Sequence, residues 1–448
     1  MLFAKLGYTG ISLVVVLIII ALIVDTSIVS IATSTGGLRS SSNDTALFVI
    51  MSVIFAGGQY IILGFIKHQF KDKDKIGGLR TNLKLIENIV VIVQYVLVAI
   101  LVFTISQMVL TMSYNIVFLR AAVLVTYGLS LILLGILARR FFSWFRSNRN
   151  LVVLVYALAT TMISINALIT IIYINNQFNF HQSDSIRPVR SVTGTFTAPD
   201  VIFSSAYIVT SVSSFILMWI ATVLLLRHYS KKLGRAKYWI IVSIPLGYFL
   251  SEFQPLFLYS FSDFRMSDPV LFGIIYNLIF AISKPLCGLL FGIAFWSVAR
   301  SLTNETVKGY MMISAFGMML LFTSNQPVGL TLLPFPPFGL VTICFMGLAS
   351  YLVFVGIYSS AISVSQDSSL RRSIRKYAFT ESKLLDSIGS AEMEQQIQRR
   401  VIDMTKQNQY LLENETGIEP SLNEDEVKEY LHEVLKEAKK GNEQKGTK

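Results

Sequence analysis

Two residues of this chain could do chemistry in a place where charge is costly. Glu252 and Lys284 each lie deep inside a long apolar stretch. An ionisable side chain in a bilayer core marks a functional site by default. Their depths match: Glu252 is 14 residues from Tyr238 and Lys284 is 14 from Val298. At about 1.5 Å per residue, both lie about 21 Å from the same face. The two stretches are consecutive and antiparallel, so a direct Glu252–Lys284 ion pair is the natural expectation.

Their surroundings are polar. Tyr248, Glu252, Pro255 and Tyr259 follow 4-3-4 spacing and share one helix face, while Asn277 and Lys284 share a face of the next helix. Ser283 adjoins Lys284. Pro255 and Pro285 each remove a backbone donor and free a carbonyl one turn earlier. Broken helices with freed carbonyls are one way transporters build sites at membrane depth. Glu252, Lys284, Tyr248, Asn277 and Ser283 are therefore the candidate ligand- or ion-binding residues. Two readings stand side by side. The pair locks two helices, or it lines a hydrated cavity that binds an ion, a proton or a polar solute. An uncharged lock would be less costly to bury.

Other chemistries lack their residues. The four histidines (His68, His181, His228 and His432) lie in loops or near the C-terminus, which leaves no intramembrane haem ligand pair. Cys287 and Cys344 sit in separate stretches and make no metal cluster. There is no HExxH, GxSxG, Walker A loop or helix-opening GxGxxG. Met311, Met312, Met318 and Met319 stud the ninth stretch; packing explains them better than a copper-thioether site. No catalytic set, cofactor or metal is expected, and an enzyme is disfavoured.

The elements that must hold these residues follow from composition. The chain has 448 residues, 53% hydrophobic and 15% charged, where soluble domains carry about 25% charged residues. A bilayer core about 30 Å thick needs roughly 20 apolar residues per helix. Ten stretches meet that test: 7–30, 46–66, 86–111, 116–138, 151–174, 201–226, 238–260, 270–298, 310–326 and 338–364. The ninth is the weakest and ends in Asn325-Gln326, so a re-entrant segment is its alternative. The first is expected to remain as an uncleaved span. The expected fold is all-α: a polytopic membrane bundle over 1–366 and a cytoplasmic helical tail over 367–448.

Lysine and arginine set the orientation. With the N-terminus inside, inner loops hold eighteen basic residues and outer loops hold only Arg39, Arg187, Arg190 and Arg265. Arg371, Arg372, Arg375 and Lys376 follow the last stretch, so both termini are expected in the cytoplasm and the protein in the cell membrane. The net charge of +11 does not call for nucleic acid. It sits in the short inner loops, where it meets anionic lipid headgroups. Asn43-Asp44-Thr45 is a glycosylation acceptor on the outer side.

Remaining polar features read as structural. Asp25, Glu87 and Arg120 lie near span ends, the last two within reach of the headgroups. Ser204, Ser205, Thr210, Ser211, Ser213 and Ser214 in the sixth stretch, and GLLFG at 288–292, favour close helix packing. The outer segment 327–337, PVGLTLLPFPP, is apolar yet cannot form a regular helix; it is a buried connection or a lid. The longest outer loop, 175–200, is polar and too short for a sizeable domain.

The tail reads as three amphipathic runs. Leu370, Ile374, Tyr377, Leu384 and Ile388 form the first, with a break allowed at Gly389. Met393, Ile397, Val401, Met404 and Leu411 form the second, and Val427, Tyr430, Leu431, Val434 and Leu435 the third. Ser421 with Glu424 makes a capping box for the third. These stripes must bury against each other, the inner loops, a second copy or a partner, so self-association or a protein partner through 370–440 is among the expectations. The functional expectation is transport of a small solute or ion at a midplane site between the seventh and eighth spans. The alternative is a sensor, receptor or scaffold subunit acting through the tail.

Overall fold

The computed structural model describes residues 8–34, 42–71, 79–179, 185–186, 198–227, 234–252, 259–302, 304–331, 333–367, 371 and 383–416. The protein is an all-α polytopic membrane protein. Helices α1 (Tyr8–Ser34), α2 (Ser42–Lys71), α3 (Leu79–Thr111), α4 (Ile116–Ser147), α5 (Leu151–Asn179) and α6 (Ala198–Leu226) come first. Then follow α7 (Arg235–Ser251), α8 (Ser262–Ser267), α9 (Pro269–Ala281), α10 (Ser283–Arg300), α11 (Glu305–Ser324), α12 (Val328–Thr331), α13 (Leu340–Gln366) and α14 (Lys383–Thr416). Two short strands, β1 (Tyr114–Asn115) and β2 (Ser185–Ile186), pair antiparallel with Tyr114 opposite Ile186. A two-residue strand has no periodicity, so the sequence gives no sign of it.

Nine helical stretches among the described residues are long and apolar enough to cross a membrane, with α9 and α10 counted as one. The stretch expected over 238–260 differs. Helix α7 has 17 residues and ends at Ser251, with Glu252 as its cap. That is about 26 Å of rise, short of a bilayer core. A proline disfavours helical backbone at the residue before it, so Pro255 accounts for a helix that stops early. Tyr248 and Tyr259 therefore do not share one helix. Tyr259 lies beyond the helix end and is exposed, and Pro255 is outside the described residues.

Two helices make the centre. The side chains of α13 are buried on all sides over its apolar length, as are nearly all of those of α11. A helix that is apolar all round belongs inside other helices. The ninth stretch, weakest by composition, is thus a 20-residue helix at the core. Asn304 caps it by accepting from Thr306 N at 2.9 Å and Val307 N at 3.3 Å. Its four methionines are buried packing residues. The GLLFG motif brings α10 against α11. A Cβ at Gly288 would stand 2.9 Å from the Met319 carbonyl oxygen, so only glycine allows this approach. The outer ring turns large apolar residues such as Leu17, Ile92, Leu110 and Ile132 outward, as a surface facing hydrocarbon requires.

The segment 327–339 closes one end of the bundle, here termed the cap end. Leu330, Leu333, Phe335 and Phe338 are buried. Tyr114 Oη donates to the Pro334 carbonyl at 2.8 Å, Tyr114 stacks on Phe335, and Phe48 meets Phe338 edge-on. Burial pushes the Tyr114 phenol well above its usual range.

The opposite end carries Arg139, Arg140, Arg146, Arg149 and Arg300 and is termed the basic end. Helix α14 docks there. Leu384, Leu385, Ile388 and Ala391 are buried, and α14 runs unbroken through Gly389. That glycine does not break the helix; it lets α14 lie directly against Val364 of α13. Trp144 Nε1 donates to Glu392 Oε2 at 2.9 Å, and Gln395 Nε2 to Ser143 Oγ at 2.8 Å. Leu370, Ile374, Tyr377 and the third run lie outside the described residues.

Candidate functional site

Four helix ends meet around the two deep charges. Helix α7 ends at Ser251, α9 ends at Ala281, α10 begins at Ser283 and α11 ends at Ser324. The apolar stretch that carries Lys284 breaks at Ile282, because Pro285 has no N–H and leaves the Ala281 carbonyl without its usual donor. Lys284 is sixteen residues before Arg300, about 24 Å of rise, which places the junction in the half of the membrane nearer the cap end.

Lys284 and Glu252 do not form the expected ion pair. Lys284 is directed toward α6 and α11 instead. Its Nζ donates to Tyr207 Oη at 3.2 Å and to the Asn325 carbonyl at 3.1 Å. The ammonium also lies over the Tyr207 ring, 5.5 Å from its centre. Asn325 caps the C-terminal end of α11, where the helix dipole is negative, so a cation is favoured there. Glu252 turns to the start of α10: Ser283 Oγ donates to its Oε2 at 3.2 Å. That is the positive end of a helix, which suits a carboxylate. The charge on Lys284 still acts on Glu252 through space. Both side chains remain partly exposed.

Residues that sequence patterns did not single out complete the network. Asn325 Nδ2 donates to Asn166 Oδ1 at 3.1 Å, and Tyr127 Oη donates to Asn325 Oδ1 at 3.4 Å. Asn166 Nδ2 donates to Thr210 Oγ1 at 3.0 Å and to the Tyr207 carbonyl at 3.3 Å. Tyr173 stacks on Tyr207. The available signal was asparagine within or ending an apolar stretch, since an amide in hydrocarbon needs partners. Tyr207 and Tyr127 gave none, because tyrosine is ordinary in such helices.

The other candidates fall on the edge of this set. Tyr248 Oη donates to the Ile279 carbonyl, tying α7 to α9. Tyr276 Oη donates to the Glu252 carbonyl at 3.1 Å. Asn277 lies in α9, on the other side of Ile282 from Lys284. Among the described residues no group of three or more His, Cys, Asp or Glu is placed to hold a metal ion. Cys287 and Cys344 are both free and buried.

A buried acidic side chain lies in α1. Asp25, near the end of that helix, is fully buried. Its Oδ2 accepts from Thr342 N at 3.1 Å and Thr342 Oγ1 at 2.7 Å. Helix α13 opens with Gly339, which has no side chain to cap it. Asp25 supplies the missing cap from a neighbouring helix, at the positive end of the α13 dipole.

Comparison of the chain with known protein families, with curated proteins and with solved structures finds no match.

Proposed function

We propose that this protein transports a small polar solute or ion, and that the junction of Glu252, Ser283, Lys284, Tyr207 and Asn325 is its binding site. The observation that carries this reading is the separation of the two charges. A structural lock would bring Glu252 and Lys284 together. Here each sits at a helix end of opposite polarity and keeps part of its surface open. Discontinuous helices whose ends face a ligand are a recurrent transport design. Tyr248 and Asn277 stand at the rim. The segment 327–339 follows directly from Asn325, so movement of that cap would open the junction toward its side.

In the same reading the basic end faces the cytoplasm, with both termini there and the protein in the cell membrane. The arginines and lysines of that end meet anionic headgroups. A second reading is favoured by α14. Its distal part leaves Ile397, Met404, Tyr410 and Leu411 exposed, which suits a sensor or scaffold that acts through a partner of the tail.

Proteoliposomes separate the two. Tracer uptake of inorganic ions, amino acids and sugars is compared between the wild-type protein and Glu252→Gln/Lys284→Met. Transport predicts uptake of at least one tracer by wild type only. Uptake by neither form, with the tail capturing a soluble protein, supports the second reading.

A further inference from the structure

We propose that the junction takes a small zwitterion of the amino-acid class, its carboxylate held by Lys284 and its ammonium by Glu252; this rests on the junction being a binding site.

An ammonium has three N–H donors. Lys284 directs two of them, to Tyr207 Oη and the Asn325 carbonyl. The third is unassigned among the described residues. Glu252 accepts one side-chain hydrogen bond there, from Ser283 to Oε2, and its Oε1 accepts none. Among the described residues, each charge thus keeps at least one position without a partner.

Besides the helix end of opposite polarity that each charge contacts, each belongs to a second helix end that shares its own sign. Glu252 caps the C-terminal end of α7, whose last carbonyls add to the pull on an ammonium. Ser283 and Lys284 open α10, whose first N–H groups add to the pull on a carboxylate. A simple anion would meet Lys284 but be repelled by Glu252, and a simple cation the reverse. An uncharged solute would pair with neither charge. A net-neutral ligand with one charge of each sign satisfies both ends at once, and the α-amino acids carry those charges on one carbon.

The test uses the full-length protein in lipid nanodiscs. Its melting temperature is recorded against the common amino acids, each beside its N-acetyl derivative, which lacks the ammonium, and its carboxamide, which lacks the carboxylate. At least one amino acid is expected to raise the melting temperature, and removal of either charge to weaken apparent affinity by at least roughly tenfold. Glu252→Gln should abolish the penalty on the N-acetyl derivative alone. Lys284→Met should abolish the penalty on the carboxamide alone. The derivatives are first compared on wild type, so a variant that misfolds does not decide the result. Equal shifts by an amino acid and a derivative overturn the zwitterion and leave the binding site standing. So does a shift by an inorganic ion or a sugar alone, lost in both variants. If no compound shifts wild type, the zwitterion and the binding site fall together.

Discussion

Lys284 shows how a charge is tolerated at depth. It is solvated by a phenol, a helix-end carbonyl and an aromatic face, rather than by its nearest opposite charge. Removing Tyr207's hydroxyl should therefore be felt through Lys284. A double-mutant cycle of Tyr207→Phe and Lys284→Met should give a coupling of about 0.5–3 kcal/mol. The same cycle for Glu252→Gln and Lys284→Met should give a smaller value, because no contact is shared. Chemical denaturation in detergent measures both, and a larger Glu252–Lys284 coupling would contradict the arrangement. Asp25 belongs to this scale too. Asp25→Ala leaves the buried Thr342 N–H without its acceptor and should cost about 1–3 kcal/mol, with Asp25→Asn milder because the amide oxygen can still accept. Equal melting temperatures for both variants and wild type would remove the capping role. The residue pair was legible in the sequence because charge is rare in apolar stretches. Its partners were not, because Tyr207, Asn166 and Asn325 come from α5, α6 and α11, far apart along the chain. The partner of Asp25 was hidden for the same reason: its place near the end of α1 was legible, and only the packing of α13 shows what it meets.

Helices divide into those fixed by composition and those fixed by local chemistry. Hydropathy located the long apolar helices because backbone in hydrocarbon must satisfy its own hydrogen bonds. It overran at α7, where the apolar run 238–260 is interrupted by Glu252 and Gln254 and the helix ends at Ser251. It also missed the break at Ile282, whose sequence cause, Pro285, was visible while its consequence for Lys284 was not. Small residues decide the tightest contacts. Gly288→Leu would drive a side chain into the Met319 backbone, and overpacking of this kind costs about 1–3 kcal/mol or more. Loss of the folded monomer peak in size-exclusion chromatography, or a melting point several degrees lower, is the expected result. At the basic end, Gly389→Leu should displace α14 from Val364. Limited proteolysis should then cut within 383–416 faster than in wild type. An unchanged digestion pattern would show that α14 docks without that close approach.

The molecule as a whole is a ring of lipid-facing helices around α11 and α13, with a packed cap at one end and α14 folded against the other. The polar junction lies between them, where α7 and α9 stop and α10 begins. A bundle built only to anchor its tail has no need of helix ends and two separated charges at that depth. The most direct measurement is the melting temperature of wild type and of Glu252→Gln/Lys284→Met against ions and small solutes, run side by side. A solute that raises the melting point of wild type and leaves the folded double variant unmoved is the predicted result. A wild-type melting point that no solute moves, with the double variant folded beside it, would contradict the binding site.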